Sequence, residues 1–214
     1  LADQGHEMPV YIMQSNGGTM SSSGVKERPA SIVESGPAAG VIGASRMAAL
    51  SGYRNIVTLD LGGTTAKASI VEEGEVAKSS EMEVGGGENF ASKTAMGRGH
   101  ALKLPAIDVS EVGAGGGSLV SVDRYGRLLV GPKSAGAVPG PVCYDLGGTQ
   151  VTLTDALVVL GYLNPAYLVG GEMLISLGKA SEAMCRQVAE PLGKGLVEAA
   201  HGIIQVATIN MMAA

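Results

Sequence analysis

The chain has 214 residues, 45% apolar and 16% charged, which is enough to bury a core as one domain or two small ones and too apolar for a disordered segment. Its net charge of −5, with no Lys/Arg cluster, excludes an electrostatic footprint for nucleic acid or an anionic membrane. No run of about 18 apolar residues marks a membrane span. Cys143 and Cys185 lack a C-x-x-C or His-rich setting, so neither a zinc site nor a disulfide framework is expected and a reducing cytoplasm fits best.

The start, Leu1-Ala2-Asp3, is neither an initiator methionine nor a signal peptide, and the chain reads as cut from something longer. Val10 to Gln14 is a short apolar strand closed by Ser15-Asn16-Gly17-Gly18, and a surface segment follows through Arg28. Glu34-Ser35-Gly36-Pro37 then introduces a helix from Ala38 to Leu50, with Pro37 in its first turn and Ser51-Gly52 as its stop. Small residues at Ala38, Ala39, Gly40, Gly43 and Ala44 allow that helix to pack closely.

The most informative stretch comes next. Asp60-Leu61-Gly62-Gly63-Thr64-Thr65 follows the apolar run Asn55 to Leu59 and precedes Ala66 to Val71, which reads as strand, tight glycine turn, strand. Two adjacent glycines let the backbone turn sharply and approach a ligand, while consecutive amides and two hydroxyls offer donors to phosphate oxygens. Asp60, at the strand end, is placed to hold a magnesium ion through water. An ordinary structural hairpin fits the same pattern, so the neighbouring motifs have to decide.

From Met82 to Pro105 the composition is rich in Gly, Lys and Arg without periodicity, and 82–105 is read as a mobile loop or irregular insertion. Ile107 to Val112 alternates as a strand leading into Gly113-Ala114-Gly115-Gly116-Gly117-Ser118. Leu119 to Asp123 and Leu128 to Val130 form a second hairpin that turns at Arg124-Tyr125-Gly126-Arg127. Pro132 to Gly148 is turn-rich. Thr152-Leu153-Thr154-Asp155 caps a helix from Ala156 to Leu160; Asp155 reads as a cap or as a residue facing the site, capping being the safer reading, though Thr154 is better placed for that role. Helices over Ser181 to Glu190 and from Gly195 onward are separated by Pro191, and the last is expected to be truncated in mid-course. Hairpins joined by helices imply an α/β architecture with mixed pairing. Asp145 to Thr149 repeats the string D-L-G-G-T without an apolar strand before it, and is read as a coincidental loop.

The ordered series E-S-G-P-A-A-G, D-L-G-G-T-T-A-K, E-V-G-A-G-G-G-S, V-G-P-K-S-A-G-A-V-P-G-P-V-C-Y and T-L-T-D-A with L-G-Y-L-N-P resembles the A-type subunit of the hydantoinase and oxoprolinase family, from about Ser15 to Ala214. The resemblance implies an actin-like ATPase (ribonuclease H-like) fold, incomplete here, with 1–214 as the central part of that domain. Asp60 and Lys67 would then be the catalytic candidates, Asp60 also the magnesium-proximal carboxylate, and Gly62, Gly63, Thr64 and Thr65 the cradle of the β and γ phosphates. Gly115, Gly116, Gly117 and Ser118 fit a second backbone cradle for phosphate or substrate and fit equally well a turn that only closes a hairpin. The T-T-A-K form of the loop looks closer to N-methylhydantoinase-like members than to oxoprolinases.

The implied reaction is ATP-dependent hydrolysis of a cyclic amide of the hydantoin or 5-oxoproline type, with ATP and Mg2+ as cofactors and a B-type hydantoinase subunit or domain as partner. An acetone-carboxylase-like subunit and a non-catalytic nucleotide-binding regulator are the alternatives. Family members also carry an upstream D-x-G-G-T loop and a downstream adenosine motif that these residues do not contain, so this chain is expected to hold part of a nucleotide site and to bind ATP weakly, if at all. His6, His100 and His201 stand alone and read as structural or solvent-facing, and Cys143 as a packed small hydrophobe.

Overall fold

The computed structural model describes Gly5, residues 8–84 and residues 100–212. Two compact units divide the chain, one formed by the described parts of Leu1–Asp60, Lys67–Gly87 and Lys93–Ser110, the other by those of Leu61–Ala66 and Glu111–Ala214.

In the first unit, β1 (Tyr11–Met13) and β2 (Thr19–Ser21) pair antiparallel, with Ile12 opposite Met20. Their turn is closed by the Gln14 N–H on the Gly18 carbonyl at 2.8 Å. The Ser21 hydroxyl accepts the Gly24 N–H and starts α1 (Ser22–Glu27). The segment through Arg28, expected as plain surface chain, is therefore ordered by a hairpin and a capped turn of helix. α1 buries no residue, which explains why its sequence shows no apolar period.

α2 (Ser35–Leu50) follows, with Pro37 in its first turn, where its missing N–H leaves no intrahelical bond unmade. At the other end the Tyr53 N–H reaches the Ala48 carbonyl and the Gly52 N–H that of Ala49, with Gly52 at φ +82°, a left-handed stop that favours glycine. Ala38 and Val41 are the buried face of α2.

β3 (Ile56–Leu61) and β4 (Ala66–Glu72) lie side by side, joined by the Gly62–Thr65 turn. The turn Glu73-Gly74, both residues at positive φ, returns the chain as β5 (Glu75–Val76), with Val71 opposite Val76. Short strands follow: β6 (Lys78–Ser79), β7 (Met82–Val84), β8 (His100–Leu102), β9 (Ala106–Ile107) and β10 (Ser110–Val112). β7 and β8 pair antiparallel, so both ends of the segment read as an irregular insertion are strand, and the residues between them lie outside those described, as does His6.

The single strand expected over 107–112 is two. β9 pairs with β6, whereas β10 joins β4, and Asp108 bridges the change by donating its N–H to Ala77 and accepting the Ser69 hydroxyl. A core of Ala38, Val41, Val71 and Ile107, flanked by Ile42, Ile56, Val76 and Val109, holds this unit together. β3 is an edge strand among the described residues, and Val57 and Leu59 are 72% and 65% exposed.

The second unit has the larger core. β11 (Ser118–Val122) and β12 (Leu128–Ser134) pair antiparallel, Val120 against Val130. The Asp123 carboxylate fixes their turn by accepting the N–H groups of Tyr125 and Arg127. These charge-assisted bonds and the Arg127 side chain keep that carboxyl below its ordinary range.

α3 (Leu153–Val159) starts three residues earlier than expected. Thr152, not Thr154, is its cap: the Thr152 hydroxyl accepts the Asp155 N–H while the Asp155 carboxylate accepts the Thr152 N–H, a reciprocal box that leaves Thr154 inside the first turn. α4 (Leu177–Met184) begins at the Ser176 cap, ahead of the expected Ser181.

Pro191 does not separate helices. A π-helical turn over Cys185–Ala189 widens the spiral just before it, with the Glu190 N–H reaching back to Cys185, and the chain runs on through α5 (Glu190–Leu192). A proline ring clashes with the carbonyl four residues back in a regular α-helix, and a widened turn relieves that clash. Gly193, at φ +63°, is the actual stop. α6 (Leu196–Met212) then packs Ala199, Ala200, Ile203 and Ala207 into the core with Val120, Val130, Val151, Leu153, Ala156, Met184 and Val188. Among the described residues no helix is long and apolar enough to cross a membrane.

Candidate functional site

The D-L-G-G-T-T turn is closed by one bond, from the Gly62 N–H to the Thr65 carbonyl at 2.9 Å. The next three N–H groups, of Gly63, Thr64 and Thr65, have no acceptor among the described residues, and neither do the two threonine hydroxyls. Among the described residues no buried side-chain polar atom goes without a partner, so both hydroxyls are open to solvent. Three successive free amides beside two hydroxyls make a concave set of donors of the kind that holds phosphate oxygens.

The carbonyls on this turn are engaged, and by the other glycine run. Gly116 donates its N–H to Gly62 O at 2.9 Å, and Gly117 to Gly63 O at 2.6 Å. The Ser118 N–H returns to Gly115 O at 2.9 Å, while the Gly115 N–H is taken by the Ser118 hydroxyl at 2.9 Å. All four amides of Gly115–Ser118 are thus bonded within the protein. The sequence left two readings open for them, a second cradle and a turn that only closes a hairpin, and in the structure all four amides are spent on closing their own turn and gripping the first loop.

Glycine is required here by the closeness of the two backbones. A Cβ on Gly115 would lie 2.6 Å from Thr64 C and 2.8 Å from Gly62 O, and one on Gly117 would lie 2.9 Å from Gly63 O.

Thr154, on α3, completes the arrangement. Its N–H and its hydroxyl both donate to Gly116 O, each at 2.8 Å. One residue on, the fully buried Asp155 carboxylate accepts the N–H groups of Val142 at 3.3 Å and Cys143 at 2.7 Å as well as the N–H and hydroxyl of Thr152. Burial, and then the Asp155 charge, push the Cys143 thiol far above its ordinary range. Burial likewise raises the Tyr144 phenol, with Cys143 and Asp155 adding to the effect.

The sequence reading missed Thr154 as a support of the site, and its preferred role for Asp155, helix capping, is the one the box with Thr152 shows. The T-x-x-D spacing from Thr152 to Asp155 was the available signal, since it identifies Thr152 as the cap and so frees Thr154 for another task.

Asp60, one residue before the end of β3, is exposed, and its carboxylate has no hydrogen bond or ion pair among the described residues. An exposed carboxylate of this kind is the group here that would hold a magnesium ion through water. No cluster of three metal-ligating side chains exists among the described residues. Lys67, on β4, extends to Glu34 with Nζ 2.7 Å from Oε2, and their side chains are 17% and 42% exposed. Glu34 itself sits at φ +61° immediately before α2. Of the second D-L-G-G-T string, Asp145 caps the turn Val142–Tyr144 and pairs with Lys179, and the string forms a loop with no strand leading into it. His100 and His201 are both exposed.

The chain is similar to known proteins in both sequence and structure. The nucleotide-free structure of acetone carboxylase, solved for the mechanism of ATP-dependent acetone carboxylation, superposes with a TM-score of 0.78 at 33% identity, over 96% of this chain and 27% of that one. The ATP-dependent caprolactamase of Pseudomonas jessenii gives a TM-score of 0.72 at 33% identity, over 99% and 29%. Both have the actin-like ATPase fold expected from the motif series. The acetophenone carboxylase gamma subunit of Aromatoleum aromaticum is 38% identical over 216 residues, covering 100% of this chain and 28% of the relative. The chain therefore spans less than a third of the length of each of these proteins. The sequence profile of the hydantoinase/oxoprolinase family matches residues 1–214 from end to end, and the chain belongs to that family.

Proposed function

We propose that these residues are the central part of an actin-like ATPase domain and carry the phosphate-binding hairpin of an ATP-dependent cyclic-amide hydrolase. The supporting observation is the row of unpartnered amides at Gly63, Thr64 and Thr65, in a D-x-G-G-T turn of a chain that matches the family throughout. The substrate class is a hydantoin or a 5-oxoproline-type lactam, and the resemblance of Thr64-Thr65-Ala66-Lys67 favours the N-methylhydantoin side of the family.

When bound, ATP supplies a phosphoryl group that activates the ring carbonyl oxygen, so that water can attack the carbon and the C–N bond can open. The protein's share is positioning and charge. The amides of Gly63, Thr64 and Thr65, with the two hydroxyls, hold phosphate oxygens. Asp60 holds a water-coordinated Mg2+ ion. Lys67 keeps a positive charge on the strand that leaves the turn, shared with Glu34. A B-type subunit or domain and a cytoplasmic setting complete this reading.

The likeness to a subunit of acetophenone carboxylase favours a second reading, in which the same hairpin serves ATP-dependent carboxylation of a ketone. ATP consumption by the complete protein separates the two when it is followed with N-methylhydantoin, 5-oxoproline, or acetone plus bicarbonate. Stimulation by a cyclic amide supports the hydrolase. Stimulation only by ketone with bicarbonate replaces it with the carboxylase, and ATP binding without turnover on any of them points to a nucleotide-binding regulator.

A further inference from the structure

The two glycine runs are unequal partners. In a trans peptide unit the C=O and the N–H point in opposite directions. Gly116 fixes the carbonyl of Gly62, so the N–H of Gly63, which belongs to the same peptide unit, is aimed away from the Gly115–Gly117 turn. Gly117 does the same to the Gly63 carbonyl and thereby to the Thr64 N–H. The direction of two of the three free amides is thus set by hydrogen bonds on their far sides.

Neither Gly115, Gly116 nor Gly117 has a positive φ, so no unusual backbone conformation demands glycine at these positions. The demand comes from contact. A Cβ at 115 or 117 meets the first loop, and one at 116 would lie 2.8 Å from the Thr154 hydroxyl. Thr154 is buried and donates both its N–H and its hydroxyl to Gly116 O, with the hydroxyl also within hydrogen-bonding reach of the Tyr144 phenol. The capping box of Thr152 and Asp155 fixes the first turn of α3 on which Thr154 stands.

We propose that Thr154 is a positioning residue for the phosphate hairpin: acting through Gly116, it holds Gly115–Gly117 against Gly62 and Gly63 so that the amides of Gly63 and Thr64 face the phosphate. This rests on the nucleotide reading above and assigns the G-A-G-G-G-S motif a mechanical role in place of a ligand-binding one.

Hydrogen exchange on the unaltered complete protein tests the division of labour directly. Without nucleotide the Gly116 and Gly117 amides should be protected and those of Gly63 and Thr64 should exchange freely, becoming protected on addition of Mg-ATP. Free exchange at Gly116 and Gly117 until Mg-ATP arrives would mark them as ligand donors and overturn the proposal. Replacing Thr154 should then separate positioning from simple folding. Thr154→Val is expected to raise the Kd and KM for ATP about tenfold with a smaller change in kcat, and Thr154→Ser, which keeps both donors, to restore them. Where the valine variant does not fold, Gly115→Ala should give the same loss of ATP affinity through its clash with Thr64. Parent-like ATP affinity in a folded Thr154→Val or Gly115→Ala protein overturns the clamp alone, whereas absence of ATP binding by the parent overturns the clamp together with the nucleotide reading.

Discussion

Asp155 has no exposed surface and takes hydrogen bonds from three backbone amides and one hydroxyl, so its carboxylate ties the first turn of α3 to the Val142–Tyr144 turn. Removing it strands several buried donors at once. Asp155→Ala is expected to cost about 3 kcal/mol in urea unfolding, by the desolvation of groups left without an acceptor. Cys143, beside it, is held as a neutral thiol by burial first and by the Asp155 charge second. Iodoacetamide at pH 8 should therefore label Cys185, which is partly exposed, and leave Cys143 unmodified until the chain unfolds, as intact mass and peptide mapping would show. The linkage has a definite sign. Folding raises the Cys143 thiol and the Tyr144 phenol above their unfolded values, so their contribution is complete below the unfolded thiol's value of about 8.5 and is lost as pH rises beyond it. At this scale the sequence made the glycine turn between β3 and β4 legible, because two adjacent glycines between apolar runs are written in consecutive residues. Thr154 was not legible, because its partner is a backbone carbonyl 38 positions away and sequence carries no direct trace of a main-chain acceptor.

Element boundaries followed local chemistry where the chemistry was strong. The stop of α2 at Ser51-Gly52 was readable, since a left-handed glycine position leaves a clear mark. Pro191 misled for an equally physical reason: proline forbids a regular α-helical bond but tolerates a widened turn, and the five residues Cys185–Ala189 supply one. The true stop, Gly193, has open space where a Cβ would go, so its only demand is conformational. Gly193→Ala should cost about 1 kcal/mol in chemical denaturation, the penalty of a left-handed alanine alone, and a much larger loss would show that the side chain meets something. The alternation over 107–112 was real, but a period of two cannot say that a strand changes partners halfway, as it does between β9 and β10.

For the whole molecule, the fold was legible from the order of five motifs and much less so from periodicity, because the strands of the first unit are short and its core is small. The division of the residues into two compact units was not readable, since it cuts the chain at Asp60 and Lys67, inside a continuous hairpin with no linker composition to announce it. The D-L-G-G-T-T hairpin begins on β3, whose outer residues Val57 and Leu59 are largely exposed on a strand with one unpaired edge among the described residues. Lysine, proline or a bulge commonly blunts such an edge, and the sequence Ile56-Val57-Thr58-Leu59 contains none of these. Prepared as these 214 residues alone, the protein should self-associate with rising concentration, and Val57→Lys or Leu59→Lys should return it toward a single sedimenting species. The strand that carries Asp60 is thus also a point at which the isolated polypeptide is prone to aggregate, which makes its solubility a readout of whether that edge is covered.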